Sequence, residues 1–140
     1  MSEQVSAADL ANVVGDKSDE ELDQLIKDLQ GDDSIIKVIF DRMPDRFLAD
    51  KAVGRTAVIQ YDINLPEGTE SWQVVVADGA CTTTKSTEKE ASVTLITSGP
   101  DFLRIISGKL NGVQAFMSGK LKLKGDMMLA QSMQTWFDQT

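Results

Sequence analysis

Apolar positions in the first third of the chain recur every three or four residues, which predicts amphipathic helices. The first predicted helix covers Ser18–Gln30. Ser18 and Glu21 have the spacing of a capping box at its start. A second predicted helix follows, with Asp33 or Ser34 as its cap.

Between residues 57 and 97 the apolar period changes to two, which predicts four strands. Asp78-Gly79 is a strong signal for a tight turn between the second and the third. The succession of strands and short turns predicts an antiparallel meander. The alternating apolar positions are Ala57, Ile59, Tyr61, Ile63, Trp72, Val74, Val76, Val93 and Leu95.

Helical spacing returns after the fourth strand and then gives way to a fifth strand, Gly119–Lys124, in which lysine and leucine alternate. We expect Leu121 and Leu123 to face the interior and the lysines to face solvent. Asp126 is placed to cap the final helix. This order of elements predicts an α+β fold with one five-stranded, mostly antiparallel sheet covered by helices.

Charge divides the chain into two parts. Residues 1–33 hold ten acids and two lysines, which account for the whole net charge of −8. The acidic and basic residues of the remaining chain are equal in number, so its net charge is zero. We therefore predict an acidic N-terminal helical extension over residues 1–33 and a folded domain over residues 34–140. Because the chain lacks a broad cluster of Lys and Arg, we expect no nucleic-acid partner.

The sequence also favours a cytoplasmic location. Its N-terminus resembles no secretory signal, and no apolar run approaches the roughly 20 residues that span a bilayer. The lone Cys81 cannot form an internal disulfide, which suits a reducing compartment. The chain ends in Asp138-Gln139-Thr140, without the peroxisomal S-K-L signal.

Catalytic chemistry has almost no support in the sequence. The chain has no histidine, so Ser-His-Asp and Cys-His arrangements cannot form within it, and Cys81 lacks its usual activator. No calcium-loop motif is present. The turns Ser107-Gly108-Lys109 and Ser118-Gly119-Lys120 lack the other residues of a phosphate-binding loop. We predict no catalytic residue, no metal site and no cofactor.

Large apolar residues are concentrated late in the chain, where methionines accompany Phe102, Phe116 and Trp136. Methionine is flexible and polarisable, so it suits a wall that adapts to varied alkyl ligands. The same residues also suit an ordinary packed core, and composition alone favours that second interpretation.

The segment Ala91–Phe137, ASVTLITSGPDFLRIISGKLNGVQAFMSGKLKLKGDMMLAQSMQTWF, resembles the sterol carrier protein (non-specific lipid-transfer) domain. The matching features are Ser107-Gly108-Lys109-Leu110, the aromatic Phe116 and the run Gly119–Asp126. The similarity is specific over these last 47 residues and looser back to Ser34. The acidic residues 1–33 lie outside the family core.

The resemblance implies an apolar cavity between sheet and helices that binds a fatty acid, fatty acyl-CoA, sterol or phospholipid without catalysis. A transient contact with a membrane surface and the oligomeric state stay open, as do two alternatives: an interaction or regulatory module, and an accessory domain of a lipid-metabolising enzyme. The residues expected to line or border the cavity are Phe40, Phe47, Trp72, Val74, Phe102, Ile106, Phe116, Met128, Leu129, Met133 and Trp136.

Overall fold

Five strands form a single sheet in the computed structural model, which describes residues 14–15, 17–28, 34–107 and 109–136. In chain order the strands are β1 (Ala57–Leu65), β2 (Gly68–Ala77), β3 (Ala80–Thr84), β4 (Val93–Ser98) and β5 (Leu121–Gly125). Their spatial order is β3-β2-β1-β4-β5. The predicted α+β class and the five-stranded, mostly antiparallel sheet are confirmed.

Five α-helices are described, and the predicted caps hold several of them. They are α1 (Asp19–Asp28), α2 (Ile35–Arg42), α3 (Gly99–Ile106), α4 (Gly112–Met117) and α5 (Met127–Met133). Ser18 and Glu21 exchange both capping-box bonds before α1, and the bond from the Ser18 N–H lowers the pKa of the Glu21 carboxyl. The Ser34 hydroxyl caps α2, and the Asp126 carboxylate accepts the Leu129 N–H at 3.0 Å. The end predicted for the first helix lies outside the described residues.

The predicted antiparallel meander is correct for the first three strands and wrong for the fourth. β4 does not pair with β3 but lies parallel to β1, with Tyr61 opposite Leu95. The turn between β2 and β3 is the expected tight one, since Asp78 and Gly79 both have positive φ. The loop between β1 and β2 is only Pro66-Glu67, because pairing continues to Leu65 opposite Gly68.

A chain crossover explains the position of β4. The residues between β3 and β4 pass over the sheet face opposite the helices, which we call the outer face. There the fully buried Gln73 side chain donates to the Lys89 carbonyl at 2.8 Å and accepts the Lys89 N–H at 3.2 Å. Gln73 also donates to Gln60 across the strand pair. The covering segment satisfies the hydrogen bonds of the two glutamines, and it carries the chain to the far side of β1.

The opposite face of the sheet, the inner face, is apolar and lies against the helices. Alternation places Ile59, Val74 and Leu95 on it, all buried. In β5, Leu121 is buried and Leu123 half-buried while the lysines are exposed, as expected. Helices α2, α3 and α5 add buried apolar side chains from the other side.

Helix α1 packs on α3 with its buried residues Leu22 and Ile26. The contact is close at Gly99, where an added Cβ would lie 2.8 Å from Ile26 Cδ1. Arg104 ties the two helices together: it donates to the Lys17 carbonyl at 3.1 Å and pairs with a carboxylate of each helix. The described part of the acidic segment is therefore packed on the sheet-and-helix body.

Nothing in the described ranges resembles a bilayer-crossing helix, since none of their helices combines the necessary length with the necessary apolar character.

Candidate functional site

Four aromatic rings meet between the inner face of the sheet, α2 and α3. Phe40 of α2 stacks on Trp72 of β2 at 4.8 Å between ring centroids and on Phe102 of α3 at 5.4 Å. Tyr61 of β1 meets Phe40 edge-on at 5.3 Å and Phe102 at 5.9 Å. These offset and edge geometries are the favourable ones for aromatic pairs. We call Phe40, Tyr61, Trp72 and Phe102 the aromatic cluster.

Polar groups hold the aromatic cluster in place. The Trp72 indole donates to the Glu70 carboxylate at 2.6 Å, and Lys85 lies 3.7 Å from that carboxylate. Thr83 of the edge strand β3 donates to the Phe40 carbonyl at 2.8 Å. The indole N–H, which burial would otherwise penalise, is thus paired, and α2 is fixed against the sheet.

A second apolar group forms where the chain leaves α5. Leu129, Met133 and Trp136 are all buried. The Trp136 carbonyl accepts the Leu48 N–H at 2.6 Å, and the Arg55 guanidinium lies 5.1 Å from the centre of the indole ring. These contacts anchor the last described turn beside the start of β1.

The structure brings most of the predicted lining residues to the interior and leaves two at the surface. Phe47 and Ile106 are half-buried against the core, whereas Phe116 and Met128 are exposed. The role of the set in ligand binding stays a prediction. The fully or almost fully buried members are Phe40, Trp72, Val74, Phe102, Leu129, Met133 and Trp136.

Tyr61 belongs to the aromatic cluster but was not among the residues predicted for the site. Its alternation with Ile59 and Ile63 was the available signal, because all three share the inner face. Burial raises the pKa of the Tyr61 hydroxyl well above its ordinary range and that of the Cys81 thiol to about 11. Both groups are neutral at physiological pH.

An open cleft of about 550 Å³ lies elsewhere, between the loop before β1 and the β2–β3 turn. Its lining includes Asp50, Arg55 and Asp78, and none of the predicted site residues borders it. Across residues 14–15, 17–28, 34–107 and 109–136, no three His, Cys, Asp or Glu side chains are grouped as metal ligands. The apolar interior is the better candidate for a ligand site.

A mixed sheet with helices over one apolar face defines an α+β protein whose candidate site is non-polar. The model of the SCP-2 sterol transfer family matches residues 36–138, and the chain belongs to this family. The predicted resemblance is confirmed. The family match begins inside α2, so α1 lies outside the matched residues.

Relatives and a solved structure agree with this assignment. The oleate-induced peroxisomal protein POX18 of Candida maltosa is 33% identical over 106 residues, covering 74% of this chain and 84% of the relative. Human sterol carrier protein 2 is 39% identical over 70 residues, covering 49% of this chain but only 13% of that longer protein. The solution structure of palmitated SCP2L2 from Aedes aegypti matches with a TM-score of 0.55 and 26% identity, covering 74% of this chain and 91% of that one.

Proposed function

We propose that this protein binds a lipid in an apolar cavity between the inner face of the sheet and the helices, and transfers it without chemical change. The observation that carries the proposal is the continuous apolar surface that the inner face forms with α2, α3 and α5, in a member of the SCP-2 family. The palmitate on the Aedes aegypti relative supports a long-chain ligand. The ligand class is a fatty acid, fatty acyl-CoA, sterol or phospholipid.

The proposed cavity wall contains the buried and half-buried members of the predicted set together with Tyr61, which contacts two of them. Met133 and Leu129 supply flexible aliphatic surface, and the aromatic cluster supplies rigid surface. Phe116 and Met128 are exposed, so the proposed wall does not include them.

Burial of the lipid chain supplies enough free energy for such a function. A chain of about twelve methylenes at about 0.8 kcal/mol each contributes on the order of 10 kcal/mol before the cost of ordering the ligand. Polar groups therefore need only hold the head group. Because each methylene adds a similar binding free energy, we expect the protein to accept lipid chains of different lengths.

Palmitate binding tests the proposal. Native mass spectrometry of the purified protein should show a lipid adduct, or should show one after incubation with palmitate. Palmitate should also displace a fluorescent fatty acid. A protein that stays free of adduct and displaces no probe would refute the proposal.

Two half-buried neighbours on α3 offer a matched pair for the same assay. Ile106→Trp places a large ring at a proposed wall position, and Ile105→Trp places the same ring beside it. We expect the first change to weaken palmitate binding more than the second, with similar thermal stability. Equal binding by both variants would remove Ile106 from the wall.

A catalytic role is not part of the proposal. The second candidate function is an accessory domain of a lipid-metabolising enzyme, which the length of human sterol carrier protein 2 favours, since the chain covers 13% of it. Hydrolysis of an acyl-thioester by the isolated chain would overturn the non-catalytic assignment. Release of bound palmitate only to a partner enzyme would favour the accessory role.

We propose a cytoplasmic location, although the similar Candida maltosa protein is named as peroxisomal. Cell fractionation of the tagged protein, with the tag at its N-terminus, tests this directly. Co-purification with peroxisomes would refute it.

A further inference from the structure

Helix α4 presents three apolar side chains to solvent on one face. Val113, Phe116 and Met117 follow one another at spacings of three and one, and they are 55%, 42% and 80% exposed. Ala115 is fully buried and attaches the helix to the body. Single exposed apolar residues are ordinary, whereas three on one face of a short helix form an apolar patch that calls for an explanation.

The helix is held firmly in this orientation. The Asn111 side chain caps it by accepting the Val113 N–H at 2.8 Å, and the Lys120 N–H donates to the Ala115 carbonyl at 2.8 Å. The apolar face is therefore preformed, and little conformational entropy is lost when it binds a partner.

Along the chain, the charged residues on both sides of α4 have a single sign. From Phe102 to Gly125 the sequence has no Asp or Glu, but it includes exposed Lys109 before the helix and exposed Lys120 after it. In the part of the chain that the structure describes, neither lysine has an ion-pair partner. Apolar side chains flanked by lysines match a bilayer surface with anionic lipids, where the former enter the interface and the latter meet phosphates.

We propose that Val113, Phe116 and Met117, with Lys109 and Lys120, form a docking surface for a bilayer that carries anionic lipids. The proposal rests on the proposed function, because docking is the step at which a carrier would collect or deliver its lipid. Two other arrangements are less favourable. A second copy on the same face would bring the lysines of both copies together, and α1 offers exposed Asp19, Glu20 and Glu21 that repel anionic lipids.

Vesicle co-sedimentation of the full chain tests the surface. We expect binding to phosphatidylcholine vesicles that contain phosphatidylglycerol, weak binding to phosphatidylcholine alone, and a decline with added salt. One lysine near an anionic membrane raises the binding affinity about fivefold. The double change Lys109→Glu and Lys120→Glu should therefore weaken vesicle binding by about thirtyfold or more.

A matched variant separates this surface from general charge and hydrophobicity. Val113→Ser, Phe116→Ser and Met117→Ser together should abolish vesicle binding. Lys51→Glu with Val53→Ser, also an exposed lysine and an exposed apolar residue but on the loop before β1, should leave it intact. Equal loss in the control, or full binding by the α4 variants, would overturn the proposal. The proposal would also be overturned if the unchanged chain self-associates and the triple serine variant does not.

Displacement of the fluorescent fatty acid keeps the two proposals apart. The α4 variants should bind palmitate as the unchanged protein does, since their side chains are at the surface. A protein that docks through α4 but never binds palmitate would leave the docking surface standing and refute lipid carriage. A protein that binds palmitate but whose α4 variants still dock would refute the docking surface alone.

Discussion

Gly125 lies where β5 ends, and no other residue type fits there without strain. Its φ of +96° is in the left-handed region. A Cβ added to it would lie 2.6 Å from the Ser92 carbonyl oxygen and 3.2 Å from Val93 Cα, both backbone atoms that cannot rotate away. The same Ser92 carbonyl accepts the Asp126 N–H at 3.0 Å, so a shift would disturb the start of α5.

The expected cost of Gly125→Ala has two parts. The positive φ costs about 1–2 kcal/mol for a residue with a Cβ, and the backbone clash adds about 1–3 kcal/mol by analogy with overpacked interiors. We therefore expect the free energy of unfolding to fall by about 3 kcal/mol, a large share of the roughly 5–15 kcal/mol typical of a domain.

Gly119→Ala supplies the control for the first part alone. Gly119 also has a positive φ, +82°, but nothing lies within 4 Å of its added Cβ. We expect a loss of about 1 kcal/mol there, which corresponds to strain without a clash. Urea unfolding followed by the fluorescence of the two buried tryptophans gives both values. If the two variants lose the same free energy of unfolding, the expected cost of the backbone clash at Gly125 is refuted.

Three further predictions concern stability and reactivity. Arg104→Ala should lower the free energy of unfolding by about 2 kcal/mol, because the guanidinium makes charge-assisted hydrogen bonds, chiefly to Asp101, whose side chain is 15% exposed. Arg104→Lys should lower this free energy less. Urea titrations that give the same value for both variants would contradict this prediction. Burial, and secondarily Asp19, raises the pKa of Asp23 above 3.8, so the folded state holds its proton more tightly and stability falls as pH rises through the raised value. Asp23→Asn should therefore raise the melting temperature at pH 7 and give a smaller gain at pH 4; equal gains would contradict the pKa shift. Cys81, with its pKa raised to about 11, should react with a thiol reagent at pH 8 far more slowly when folded than in urea, and similar rates would show that the thiol is accessible.

The features that were predicted correctly from the sequence depend on neighbouring residues. Ser18 with Glu21, and Asp126 with Leu129, each lie within one helical turn, so their spacing alone indicates the caps. Alternation in β5 assigns each side chain to a face for the same reason. The family motif adds the five-stranded sheet and the helices that cover it, because related chains have similar folds.

The features that were missed depend on residues far apart in the chain. Alternation indicates which face a strand buries but not which strand it joins, so the parallel β1–β4 pair was not predicted. Alternation places Gln73 on the face opposite the apolar residues, and it does not indicate that Lys89 covers this side chain. The late apolar residues and the family resemblance likewise indicated that Phe116 lines the cavity, whereas the packing of Ala115 leaves the Phe116 side of α4 exposed.

The charge pattern that first separated the chain into two parts gives the proposed docking a direction. Residues 1–33 carry the whole net charge of −8, and the described helix of that segment packs on α3 with Asp19, Glu20, Glu21 and Asp28 exposed. Residues 102–125 carry only basic charges. An anionic bilayer attracts the lysines beside α4 and repels the exposed acids of α1, so the charges favour approach through α4 over approach through α1. Raising the salt concentration should then weaken docking, because screening removes the attraction of the lysines together with the torque that orients the protein.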